Sequence, residues 1–148
     1  MTGSPLYPSI PRRLTSMVYE SLLLFGLVAV GFILPHALLG TLAQVVAPSW
    51  VVRTHFILLL MLYYVWFWLN GGQTLAMKTW KIQVQDRSGA PLRPLQAVLR
   101  YLAAWPSLLF FGIGVFWALF DKDRQFLHDR IAGSRLILIA PEQKPAKS

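Results

Sequence analysis

The chain has 148 residues, 55% of them hydrophobic and only 14% charged, with fourteen Lys and Arg against six Asp and Glu and a formal net charge of +8. Soluble domains carry roughly 25% charged residues, so an ordinary water-soluble globule is excluded and a single small membrane bundle is expected. The lack of cysteine removes disulfides, thiolate metal sites and cysteine nucleophiles.

Residues 1–13 hold Pro5, Pro8 and Pro11 and predict a flexible, extended N-terminal arm. Residues 14–34 form a run with a single charge, Glu20, long enough to cross a bilayer. Arg12 and Arg13 precede the run as they would in a signal peptide. However, the run exceeds the usual apolar region of a signal, and no small-residue cleavage site follows before Pro35. It reads as a retained first span. Residues 35–54 predict a loop, partly helical over 38–47. The second span is the apolar stretch 56–69, which borrows 50–55 to reach full length while Arg53 snorkels outward. Trp50 at one end and Trp66 and Trp68 at the other fit interfacial aromatic belts. Asn70, Gly71 and Gly72 end the helix.

Beyond the second span, Trp80, Ile82 and Val84 alternate with Lys81, Gln83 and Gln85, the period of a strand. Residues 86–91, DRSGAP, are turn chemistry. A second branched run, 135–139, is too short to span, and the two strands pair only if they lie on one side of the membrane. Residues 101–120 carry no charge and read as a third span or as a re-entrant or interfacial helical hairpin. The bases decide between these. If the run spans, they divide seven and seven; if it dips in and returns, thirteen lie on one side and Arg53 alone on the other. The positive-inside rule favours the return, and Pro106 and the Gly112–Gly114 pair offer places to break the helix. Both termini are then cytoplasmic. The expected fold is an all-α membrane protein with two transmembrane helices, this hairpin and a short two-stranded cytoplasmic pairing. Residues 14–140 form the membrane domain and 141–148 a disordered tail.

Polar chemistry is concentrated in residues 121–136, DKDRQFLHDRIAGSRL, with three acids, four bases and one histidine. A helix over 115–131 would place Asp121, Gln125 and His128 on one stripe with Asp129 at its border, ended by Gly133. An ordinary amphipathic helix with solvated charges is the plain alternative. His36, His55 and His128 have no metal-ligand spacing, the glycines form no nucleotide-binding loop, and no nucleophile constellation is present, so no enzyme is expected. The bases flank apolar runs, which points to anionic lipid headgroups rather than nucleic acid.

The segments RRLTSMVYE (12–20), GQTLAMK (72–78), IQVQDRSGAPL (82–92), Leu99-Arg100 and DKDRQFLHDRIAGSRLIL (121–138) together resemble the RDD family of small, mostly bacterial membrane proteins. The family is named for one arginine and two aspartates. The resemblance covers roughly residues 8–140 and places the arginine at Arg12 or Arg13. One aspartate falls at Glu20, an acid with a longer side chain, and the other at Asp129 or Asp121. Ala76 stands where the family has a second glycine. The resemblance implies a bacterial membrane protein, and with the charge count the expectation is a multi-pass protein of the inner (plasma) membrane with a cytoplasmic N-terminus. The resemblance also implies transport of an unidentified ligand, with cation/proton exchange in some members.

Glu20 lies seven residues beyond Arg13, about two helical turns or ~10 Å deeper and on nearly the same face. An ionised, unpaired carboxylate costs roughly 2.5–3.5 kcal/mol on insertion scales. Glu20 is therefore protonated, paired with a base such as Arg13 or Arg124, or lining a wet cavity. A polar clamp and a role in ion or proton movement both remain open for it, as they do for Asp129. Two spans are too few to enclose a pathway, so transport implies a homo-oligomer or a membrane partner protein. The other class is a non-transporting anchor or assembly module acting through its basic face.

Overall fold

A computed structural model describes residues 6–110 and 112–139. The chain is mostly helical, with two long apolar helices and one small antiparallel sheet. The expected disordered tail at 141–148 lies outside the described residues.

Helix α1 (Ile10–Val28) begins after Ser9 with Pro11 in its first turn, where a missing N–H costs nothing. The helix thus starts four residues before the expected Leu14. Ahead of it Leu6 is tied down as well, since its carbonyl accepts the backbone N–H of Leu138 at 2.8 Å. A π-helical stretch, Ala29–Ile33, joins α1 to α2 (Leu34–Leu42), giving an apolar helix of 33 residues in total. The expected loop at 35–54 is thereby corrected: Pro35 does not end the helix. Proline removes one helical hydrogen bond and crowds the carbonyl four residues back. The wide π turn immediately before it, in which the Leu34 N–H reaches Ala29, absorbs that defect. At this level Gly31 faces Leu59, and a Cβ there would lie 3.2 Å from both Leu59 methyls.

After a short connection, α3 (Ser49–Leu69) runs 21 residues, as the borrowed second span requires. The chain then forms α4 (Leu75–Thr79), which sequence patterning did not anticipate. Thr74 caps α4 through the Met77 N–H at 3.3 Å. Strand β1 (Ile82–Asp86) pairs antiparallel with β2 (Ser134–Leu138), with Val84 opposite Leu136 and Gln83 opposite Ile137. The expected pairing is present, although Trp80 lies outside the first strand and the second begins one residue early. Gly72 adopts φ +69°, and its carbonyl accepts the Val84 N–H at 2.8 Å; a Cβ there would meet the Val84 oxygen at 2.5 Å.

Helix α5 (Pro94–Leu109) starts well before the uncharged run and passes through Pro106 unbroken. The break comes at Gly112, with φ +71°, and α6 (Ile113–Phe120) returns against α5. The two helices meet at Gly114, where a Cβ would lie 1.5 Å from Ser107 Oγ and 3.3 Å from Ser107 Cα. So close an approach across seven residues requires a chain reversal, since a continuous helix would separate them by ~10 Å. The expected single helix over 115–131 is also corrected. It stops at Phe120, turns through 121–126 with Arg124 at φ +52°, and resumes as α7 (Leu127–Ile131). The core gathers where α3, α4 and α5 meet the sheet, around Trp68, Ile82, Val84 and Tyr101.

The distribution of side chains is the reverse of a soluble protein's. Phe25 is 75% exposed and Phe120 87% exposed, whereas Arg13, Glu20, Arg100 and Asp129 are all buried. Apolar surface on this scale marks contact with lipid or with other protein.

Candidate functional site

Asp129 is the centre of the polar interior and has no exposed surface. It is the third residue of α7, and its Oδ2 accepts the Phe126 N–H at 2.9 Å, so it caps the helix that carries it. The same oxygen accepts Arg13 Nη2 from α1 at 2.7 Å, and Oδ1 accepts Arg100 Nη1 from α5. Arg100 Nη1 also donates to Ser134 Oγ at 2.8 Å. Arg13 donates in addition to the Arg124 carbonyl, and its guanidinium lies 3.6 Å above the Phe126 ring, while that of Arg100 lies 4.9 Å from the Trp68 ring. One carboxylate therefore joins three segments far apart in sequence. Burial pushes the Asp129 carboxyl up, but the two guanidiniums, Arg100 first, outweigh it and hold the group well below the usual carboxylate range. Next to it, burial and the same two arginines push His128 down to about 4, against the opposing pull of Asp129, so its imidazole is neutral at pH 7. His128 Nδ1 lies 3.3 Å from Ser107 Oγ.

Glu20 forms a second centre. Its Oε1 accepts the Tyr63 hydroxyl at 2.6 Å, and its Oε2 accepts the Thr74 hydroxyl. Thr74 is free to donate because its oxygen is already used as the acceptor for the Met77 N–H. The expected pairing of Glu20 with Arg13 or Arg124 does not occur: among the described residues no base bridges it. Arg13 turns toward α7, where Asp129 offers a closer carboxylate, and the two hydroxyls satisfy Glu20 instead.

Both centres face one cavity of about 390 Å³ between α1, α3 and α5. Arg13, Glu20, Arg100 and His128 lie on its wall among apolar residues such as Leu24, Leu60 and Trp105.

The other expected site residues divide clearly. Arg12 is half-buried and enters no ion pair among the described residues. Asp121 sits in the turn, accepting Arg130 at 2.7 Å and the Gln125 N–H at 2.9 Å. Gln125 is buried and pins β2, accepting the Leu136 N–H at 2.9 Å. Arg124 contributes its carbonyl while its side chain is exposed. With the helix broken, Asp121, Gln125 and His128 do not share a stripe. Sequence reasoning missed Arg100, Tyr63 and Thr74 as site residues. Arg100 left a signal, as the only charge between Arg93 and Asp121; Thr74 lies inside a quoted segment, and Tyr63 had none.

Together these features define a small helical protein of inverted polarity, with a buried arginine–aspartate cluster clamping its helices around a cavity. The chain belongs to the RDD family, whose pattern matches residues 7–133. Of the alternatives that the resemblance left open, Arg13 and Asp129 are the buried, paired residues. The chain is 32% identical over 81 residues to a Rickettsia prowazekii (strain Madrid E) protein described as uncharacterized protein RP437. The match takes in 55% of this chain and 45% of that one, so it spans under half of the relative's length. No solved structure matches the chain.

Proposed function

We propose that the chain is a multi-pass protein of the bacterial inner membrane that exchanges a small cation for a proton at Glu20, acting as an oligomer or with a membrane partner. The observation that carries this reading is a buried carboxylate on the wall of a cavity, held by two hydroxyls and, among the described residues, by no base. An ionised carboxylate away from water is costly. A proton or a desolvated cation relieves that cost, and hard cations favour oxygen ligands such as carboxylate and hydroxyl. Occupancy by one then excludes the other, which is the requirement for exchange. The cation/proton exchange that the resemblance implies for some members of the family supports the same reading.

In the topology that goes with it, α1–α2 and α3 cross the bilayer, and α5–α6 dips in from the cytoplasmic side and returns. The pairing of β1, which precedes the hairpin, with β2, which follows it, supports a common side for both ends. Thirteen of the fourteen bases then share that side. Two spans cannot enclose a pathway, hence the oligomer or partner. Purified protein in proteoliposomes tests the proposal through cation-driven pH change, scanned over monovalent cations and pH. The expected result is exchange in the wild type that Glu20→Gln abolishes; flux equal to that of empty liposomes throughout would overturn it.

A second reading, a non-transporting anchor or assembly module, is favoured by the exposed bases Lys78, Lys81, Arg87 and Arg93 on the sheet side of the molecule. They suit anionic headgroups or an acidic partner.

A further inference from the structure

The cavity has a second polar end that exchange at Glu20 leaves unused. Two guanidiniums share one carboxylate in the Arg13–Asp129–Arg100 cluster, and His128 beside them is neutral, so among the described residues the charges of the cluster itself sum to +1. Its donors are not all spent. Among the described residues, Arg13 Nε, Arg100 Nε and Trp68 Nε1 are buried N–H groups without an acceptor, and all three residues line the cavity. Arg13, Arg100 and Trp68 are only 2%, 4% and 6% exposed. Buried donors without partners are few in native proteins, and each calls for an explanation.

Water is a poor one here. A space of about 390 Å³ corresponds to on the order of a dozen waters, each needing two to four polar partners. Ser16, Glu20 and Thr74 add polar groups to the wall, but most of its surface, including Met17, Leu24, Leu60 and Trp105, is apolar and offers almost none. The cavity is partly open rather than sealed, and its volume is that of a small-molecule site. An apolar chamber with unspent cationic donors at one end matches a molecule with one anionic head and one hydrocarbon chain.

We propose that this cavity binds a single-chain amphiphile with a carboxylate or phosphate head, the head accepting from Arg13, Arg100 and Trp68 and the chain lying along Leu24 and Leu60. Arginine suits either oxyanion through its planar fork of donors, and the head neutralises the surplus charge. This inference rests on the membrane placement proposed above but not on exchange at Glu20.

Photolabelling of the full chain in zwitterionic lipid vesicles tests it, using a long-chain carboxylate with a diazirine in its tail and peptide mapping of the adducts. Labelling should fall on cavity residues of α1, α3 and α5. An unlabelled chain with a carboxylate or phosphate head should displace the probe, whereas a trimethylammonium chain of equal length should not. Displacement by only one of the two anionic chains identifies the head. Arg100→Lys keeps the charge but loses the fork and should weaken labelling roughly tenfold, as expected for loss of a charge-assisted bond. Ala104→Trp, one turn along α5 from Arg100 and outside the ion pairs, fills the cavity and should abolish labelling in a folded protein. If inorganic phosphate or acetate displaces the probe as well as a chain does, the site takes a free anion and the amphiphile is wrong. Equal displacement by the cationic chain, or adducts outside the cavity, overturns the proposal. Because the readout is binding, loss of flux in Glu20→Gln with labelling intact separates its fate from that of the exchange reading.

Discussion

Asp129→Asn is the sharpest perturbation of the polar interior. It keeps the side-chain volume and removes the only negative charge that, among the described residues, contacts two buried guanidiniums, those of Arg13 at 2.7 Å and of Arg100. Breaking a buried pair by deleting one partner costs about 3–5 kcal/mol. Here the carboxylate serves two cations and also caps α7 through the Phe126 N–H, so the loss should sit near the upper end, about 5 kcal/mol. Arg100→Gln should be milder. It leaves the Arg13–Asp129 pair neutral and gives up charge-assisted bonds worth about 1.5–3 kcal/mol. The two changes share partners and should not add: the double variant leaves one lone guanidinium instead of two and recovers part of the Asp129→Asn loss. Thermal unfolding of protein in lipid nanodiscs, followed by circular dichroism, gives the order. A milder effect for Asp129→Asn than for Arg100→Gln, or strict additivity, would refute the electrostatic account of the cluster.

Acid should destabilise the fold through His128, whose pKa falls from 6.5 to about 4 on burial. Its contribution is complete above 6.5, where both states are neutral. It is lost as pH falls toward 4, because only the unfolded chain takes up the proton, and the loss amounts to about 3 kcal/mol. A pH series of unfolding midpoints should show this slope in the wild type and a flatter one in His128→Gln. The depressed carboxyl of Asp129 acts in the same direction at lower pH, its stabilisation being present above the unfolded value of 3.8 and lost below it. Gly114→Ala should cost about 1–3 kcal/mol of stability through its clash with Ser107, read as a lower unfolding midpoint, and Ser107→Gly in the same chain should restore much of it. In a chain with no native cysteine, Gln83→Cys and Ile137→Cys should crosslink. The pair Gln83→Cys and Leu136→Cys should not, because adjacent strand residues point to opposite faces.

The elements written in strong local patterns were legible in the sequence. The second long apolar helix, the two strands and the stop at Gly133 follow from hydropathy, period two and glycine's access to positive φ. The first helix was underestimated because Pro35 is a stop signal in isolation, and a π turn that absorbs it has no simple sequence signature. The break at 121–126 was hidden for a related reason. Asp121, Gln125 and His128 keep helical spacing, while the carboxylate of Asp121 bonds the N–H groups of Asp123 and Gln125 in a turn, a competition that spacing does not reveal. Within the site, Glu20 stood out as the single charge of an apolar run and Asp129 as part of the polar stretch 121–136. Their partners did not, since the Asp129 contacts to Arg13 and Arg100 and the Glu20 contact to Tyr63 depend on how distant segments pack.

The central claim, that Glu20 trades a proton for a cation, is tested most directly at the carboxyl itself. Infrared difference spectra of the reconstituted protein, recorded with and without the transported cation and referenced to Glu20→Gln, report its protonation. The account predicts that at acidic pH a protonated-carboxyl band assigned to Glu20 is lost when the cation is added, as the proton leaves. A Glu20 signal indifferent to every cation tested, across the pH range in which the protein stays folded, would contradict it.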